Sequence, residues 1–174
     1  MNWKKEILEN LILIGIVVAV VLLVNHFLVI NATIPSASME NTVMTHDRIF
    51  GNRLAYRSKD PERFDIVIFR YPDDETELYI KRIIGLPGET VKIVDGKVYI
   101  NGSSEPLDDS FCAERPTGSY GPFKVPENCY FMMGDNRNNS HDSRFWDNHY
   151  VAREKILGKA VFRYWPLNRI GLVK

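Results

Sequence analysis

The sequence predicts a mainly β protein in which an N-terminal transmembrane helix precedes one antiparallel β-sheet domain. Three observations carry that expectation. Residues 11–30 form a charge-free apolar run, short runs rich in Val, Ile, Tyr and Phe recur between turn residues from residue 64 onward, and no window after residue 30 keeps a 3.6-residue apolar period. At 174 residues the chain has room for one domain, and 45% hydrophobic residues supply a core. Its 22 basic and 22 acidic side chains cancel, so the basic excess of a nucleic-acid binder is missing and no nucleic-acid partner is expected.

The apolar run, LILIGIVVAVVLLVNHFLVI, contains no Lys, Arg, Asp or Glu, and its only polar side chains are Asn25 and His26. Twenty helical residues reach about 30 Å, the thickness of a bilayer's hydrocarbon core. A core helix of a globular domain would turn a polar face to water, and Leu11 to Val24 show none. A cleaved signal peptide would need a small-x-small site. Ala32 has Ile30 two positions before it and Ala37 has Pro35, so only Ser36-Ala37-Ser38 fits. The segment is read as an uncleaved anchor embedded in a lipid bilayer. Lys4 and Lys5 lie just before it and the first basic residue after it is Arg48, which places residues 1–10 in the cytoplasm and residues 31–174 outside.

Beyond the anchor, Phe64 to Phe69 (FDIVIF) and Tyr79 to Ile84 (YIKRII) read as strands, the second closed by a Gly85-Leu86-Pro87-Gly88 turn. Val91 to Val94 and Lys97 to Ile100 flank Asp95-Gly96, a strong hairpin signal, and Asn101-Gly102 makes another turn. Residues 103–126, rich in Ser, Pro, Gly and Asp, read as a long surface loop. Tyr130 to Met133 and Ala160 to Trp165 are late strands, with a short helical turn at 151–157. Cys112 and Cys129 leave a disulfide and two free thiols equally open. Neither a C-x-x-C pair nor an H-E-x-x-H helix is present, so no metal and no cofactor are expected.

The common hydrolase signatures are missing: there is no G-x-S-x-G elbow, and Asn41 stands where an S-x-x-K pattern from Ser38 would place its lysine. A triad drawn through His141 and Asp142 has no second support. Two features remain. Ile34-Pro35-Ser36-Ala37-Ser38-Met39 sets two hydroxyls just beyond the membrane boundary, where the plain alternative is a Ser-rich linker. Lys81 lies in a mostly apolar strand, on one face with Tyr79 and Ile83, while Arg82 shares the other with Ile80 and Ile84. Burial there would lower its pKa and make it a general base near neutral pH; an edge-strand lysine with its ammonium in water is the plain alternative.

The blocks PSASM, DIVIF, YIKRIIGLPGE and GDNRNNSHDSR occur in this order behind the anchor. Together they resemble the bacterial type I signal peptidases, over Pro35 to Arg144. The resemblance implies a serine endopeptidase that cuts exported preproteins after small-x-small sites, with Ser38 as nucleophile and Lys81 as base. It implies an oxyanion hole from the Ser38 amide and the Ser36 hydroxyl, Ser140 orienting the Lys81 amine, and Asp142 with Arg144 as a supporting ion pair, while Gly134, Asp135 and Asn136 shape the turn. The pocket walls it implies are Ile34, Met39, Ile49, Ile68 and Ile80. Asn41 replaces the family's proline after the nucleophile, and Glu89 its more frequent Asp. The chain is expected to be a compact, monomeric form of the family. A catalytically silent, membrane-tethered accessory domain is the competing class, and it would tolerate loss of either dyad residue.

Overall fold

The computed structural model describes residues 3–112 and 114–174. One long helix, α1 (Trp3–Phe27), has no buried residue and a mean hydropathy of 2.9 over its most apolar stretch. By length and composition it is able to cross a membrane. Its limits differ from those of the apolar run at 11–30. It starts at Trp3, where a Lys5–Glu9 pair one turn apart suits a helix, and it ends at Phe27. Val29 and Ile30 instead open a strand, where β-branched side chains fit well and Ile30 enters the core.

Eleven strands follow among the described residues. β1 (Val29–Thr33), β2 (Arg48–Asn52), β3 (Ile66–Arg70), β4 (Leu78–Gly85), β8 (Cys129–Met133), β9 (Val151–Ala152) and β10 (Ile156–Trp165) form one sheet in the order β1-β2-β10-β3-β4-β8-β9, with β11 (Gly171–Leu172) added to β10. Every pairing is antiparallel. β5 (Thr90–Val94), β6 (Lys97–Ile100) and β7 (Tyr120–Lys124) form a smaller sheet, ordered β6-β5-β7. At the β5–β6 turn Asp95 and Gly96 both have positive φ, 49° and 79°, as a two-residue type I′ hairpin requires.

Several elements depart from the sequence reading. β1, β2 and β11 are strands the pattern did not single out. The long loop read at 103–126 ends in β7, and β10 begins at Ile156 rather than Ala160. The turn read at 151–157 narrows to a 3-10 turn at Arg153–Lys155, with β9 just before it.

Two consequences of the topology place the site. β3 pairs with β4 along Leu78 to Arg82, but β8 joins the other side of β4 only from Arg82 onward, so Leu78 to Lys81 keep one side without a neighbouring strand. β1 ends the sheet and has a free side as well. Four antiparallel steps separate β1 from β4, so the two run in the same direction. A groove of about 680 Å³ lies between Asn31–Ser38 and Glu77–Lys81.

Candidate active site

Ser38 sits in a 3-10 turn, Ala37–Met39, directly after β1. Met39 is fully buried and packs with Ile34, Val43 and Ile49, which pins the turn to the core. Lys81, in the middle of β4, is 4% exposed, and its Nζ lies 2.5 Å from the Ser38 Oγ. Its ammonium also lies 5.5 Å from the centre of the Tyr79 ring, on the face that the two-residue period assigns to both. No carboxylate within the described residues forms an ion pair with it. Burial therefore pushes the Lys81 pKa down from 10.5 to about 8, and the negative charges of Asp142 and Asp135 oppose this without cancelling it. The Ser36 Oγ is 3.3 Å from the Ser38 Oγ.

The opposite wall is the turn at residues 134–144. Asp142 forms a buried ion pair with Arg144, at 2.8 Å from Nε and 2.9 Å from Nη2, and accepts from the Gly134 amide. Asn136 reaches across to the Ser38 turn: its amide donates to the Ser38 carbonyl and its Nδ2 to the Ala37 carbonyl, each at 3.1 Å. A Cβ at Gly134 would collide with the Ser38 carbonyl oxygen and the Ser140 hydroxyl, so only glycine lets this turn lie so close to Ser38. On the far face of β4, Arg82 clamps Asp135 through two hydrogen bonds of 2.8 and 2.6 Å, and Thr42 donates to the same carboxylate.

Most of the residues implied by the sequence converge here, with three departures. Ile34, Ile68 and Ile80 line the groove, whereas Met39 and Ile49 are fully buried behind it. Met39 points inward because the 3-10 turn aims Ser38 at the groove and its neighbour at the core. Ala32 and Tyr79 help to form the wall in their place. Ser140 is buried beside Gly134, but its hydroxyl has no hydrogen-bond partner, so the contact with the Lys81 amine is not formed. His141 lies exposed on the groove rim and has no hydrogen bond to Ser38 among the described residues. Cys112 and Cys129 are free thiols, and burial pushes the Cys112 thiol up to about 11.

Sequence reasoning missed Asn136 and Arg82 as working residues. Arg82 looked like one more polar residue on an alternating strand, and Asn136 like a turn former. Their partners are 53 and 98 to 99 positions away in sequence, a separation at which no local pattern forms.

The model of the family described as signal peptidase, peptidase S26, matches residues 7–165. A probable signal peptidase I-2 of Synechocystis sp. is 47% identical over 145 residues, covering 80% of this chain and 65% of that protein. A signal peptidase I of Leptolyngbya laminosa is 40% identical over 96% of this chain and 84% of its own length. Signal peptidase I S of Bacillus subtilis is 35% identical over 96% of this chain and 94% of its own length.

Proposed function

We propose, from the premise that this chain belongs to the signal peptidase family, peptidase S26, and is a membrane-anchored serine endopeptidase that removes signal peptides, that Ser38 is its nucleophile and Lys81 its general base. The observation that carries this is the 2.5 Å contact between a buried lysine without a counter-ion and a serine hydroxyl. A lysine with a pKa near 8 holds a useful neutral fraction at physiological pH, and a solvated one near 10.5 does not.

Neutral Lys81 takes the proton of the Ser38 hydroxyl as Oγ attacks the scissile carbonyl carbon. The resulting ammonium then gives that proton to the leaving amine, so the C–N bond breaks and an acyl-enzyme remains. Lys81, neutral again, accepts a proton from a water that attacks the ester carbonyl carbon, and then returns it to the Ser38 Oγ as the ester C–O bond breaks, which releases the carboxylic acid product and restores the serine hydroxyl. The developing oxyanion is met by the Ser38 amide and the Ser36 hydroxyl, 3.3 Å from the nucleophile.

The preprotein enters extended between the free sides of β1 and β4, main chain to main chain, with alternate side chains directed at the walls. Ile34, Ile68 and Ile80 leave shallow apolar depressions suited to small side chains one and three residues before the cut. The anchor lies in the bilayer with residues 1–10 in the cytoplasm and the β domain outside. Only Leu28 separates α1 from β1, which keeps the groove near the bilayer surface.

The test is cleavage of a purified preprotein by the full chain in detergent, beside Ser38→Ala and Lys81→Ala, with the new N-terminus sequenced. Wild-type cleavage after a small-x-small site with both variants inert is the expected result. Equal cleavage by Lys81→Ala would remove the lysine from the mechanism.

A further inference from the structure

Part of the segment that the sequence presents as a surface loop, residues 103–126, grips the turn at residues 134–140 at three points. Asp109 forms a two-pronged ion pair with Arg137, at 2.9 Å from Nη1 and 2.7 Å from Nη2. The Phe111 ring lies 4.1 Å from the Arg82 guanidinium and 5.6 Å from that of Arg137. The Thr117 amide and the Arg115 carbonyl hold the two ends of the Asn138 side-chain amide, at 3.0 and 3.1 Å.

None of these residues is bonded to Ser38 or Lys81, yet Asp109 and Phe111 act on Arg137, which directly follows Asn136, and Phe111 also covers Arg82, which directly follows Lys81. The Arg137 side chain is 1% exposed, its Nε donates to the Gly134 carbonyl, and its own carbonyl accepts from Arg144. Gly134 faces the Ser38 carbonyl, and Asn136 holds the Ser38 and Ala37 carbonyls. Without its carboxylate, Arg137 would be a buried charge without a partner and would have to move toward water, taking the Gly134 end of the turn with it. We propose that Asp109 is a positioning residue for the reaction, acting through Arg137 to hold the 134–140 turn against the nucleophile, with Phe111 as the cover over both arginines. This rests on the Ser38–Lys81 reading.

A misplacement of about 1 Å at a reacting group lowers turnover by about 100-fold. The experiment measures kcat and KM for the full chain in detergent, for Asp109→Ala, Asp109→Asn and Phe111→Leu, each well below its own melting temperature. Asp108→Asn is the control, because among the described residues Asp108 bonds only the Ser110 amide within its own loop. The expected result is a kcat lowered by about 10- to 100-fold in Asp109→Ala with KM within about twofold, a smaller loss in Asp109→Asn and in Phe111→Leu, and an unchanged control. The acid limb of the kcat profile should move to higher pH in Asp109→Ala, because a loosened turn lets water reach Lys81 and raises its pKa. Folded Asp109→Ala with wild-type kcat and an unmoved acid limb would overturn the proposal, as would a kcat loss that merely tracks the unfolded fraction. Failure of the dyad reading is distinguishable from both, since Ser38→Ala would then still cut.

Discussion

The two faces of β4 treat neighbouring buried cations in opposite ways. On one face Lys81 has an aromatic ring and a hydroxyl for company and no carboxylate partner, and its pKa falls to about 8. On the other, Arg82 is locked to Asp135 by two short hydrogen bonds, roofed by Phe111 and braced by Thr42. One peptide bond separates a cation whose pKa burial lowers from one that a carboxylate holds charged, and on the proposed mechanism reactivity comes from withholding a partner and rigidity from supplying one.

The sharpest way to break this contrast is Lys81→Arg, which puts a permanently charged group where a base is needed. Activity should fall by about 10³- to 10⁴-fold in a preprotein cleavage assay, with the chain still folded by circular dichroism. In the wild type the same logic sets the acid limb of kcat/KM near pH 8, since on the proposed mechanism only neutral Lys81 acts, and a limb near 10.5 would mean that the lysine is solvated. Next in size is Asp135→Ala, which strands the Arg82 charge in the interior and should cost about 3 to 5 kcal/mol in reversible denaturation.

Lys81→Met sharpens the comparison from the other side. Between pH 8 and 10.5 the unfolded chain binds the lysine proton and the folded chain does not, so wild-type stability rises with pH across that window. Below pH 8 the variant should therefore be more stable by up to about 3 kcal/mol, with the gain fading as pH approaches 10.5. Melting curves at pH 7 and pH 10 decide it. The smallest effect belongs to a pair in water: Lys59→Ala breaks an exposed contact with Glu62 and should change stability by less than about 1 kcal/mol.

What the sequence revealed follows the same division. β3, β4 and the β5–β6 hairpin were legible because apolar runs and an Asp-Gly turn are local signals. β1 was hidden because its first residues continue the apolar run of the anchor, and β7 because Gly121 and Pro122 lie inside it. The proximity of Ser38 and Lys81 was legible through the four sequence blocks, and the shared face of Lys81 and Tyr79 through strand alternation. The clamps of Arg82 on Asp135 and of Arg137 on Asp109 were not, because charge pairs 53 and 28 residues apart leave no periodic trace. That Met39 and Ile49 lie behind the groove rather than along it was not legible, because a list of apolar residues does not say which side of a turn faces the core.

The groove between β1 and β4 also bears on self-association. Unpaired strand sides are the usual seeds of aggregation, because one sheet can dock edge to edge on another. Here two such sides border one groove, which on the proposed reading a single extended chain enters. On that reading, the unpaired strand sides that would invite aggregation are the same ones that a bound substrate covers.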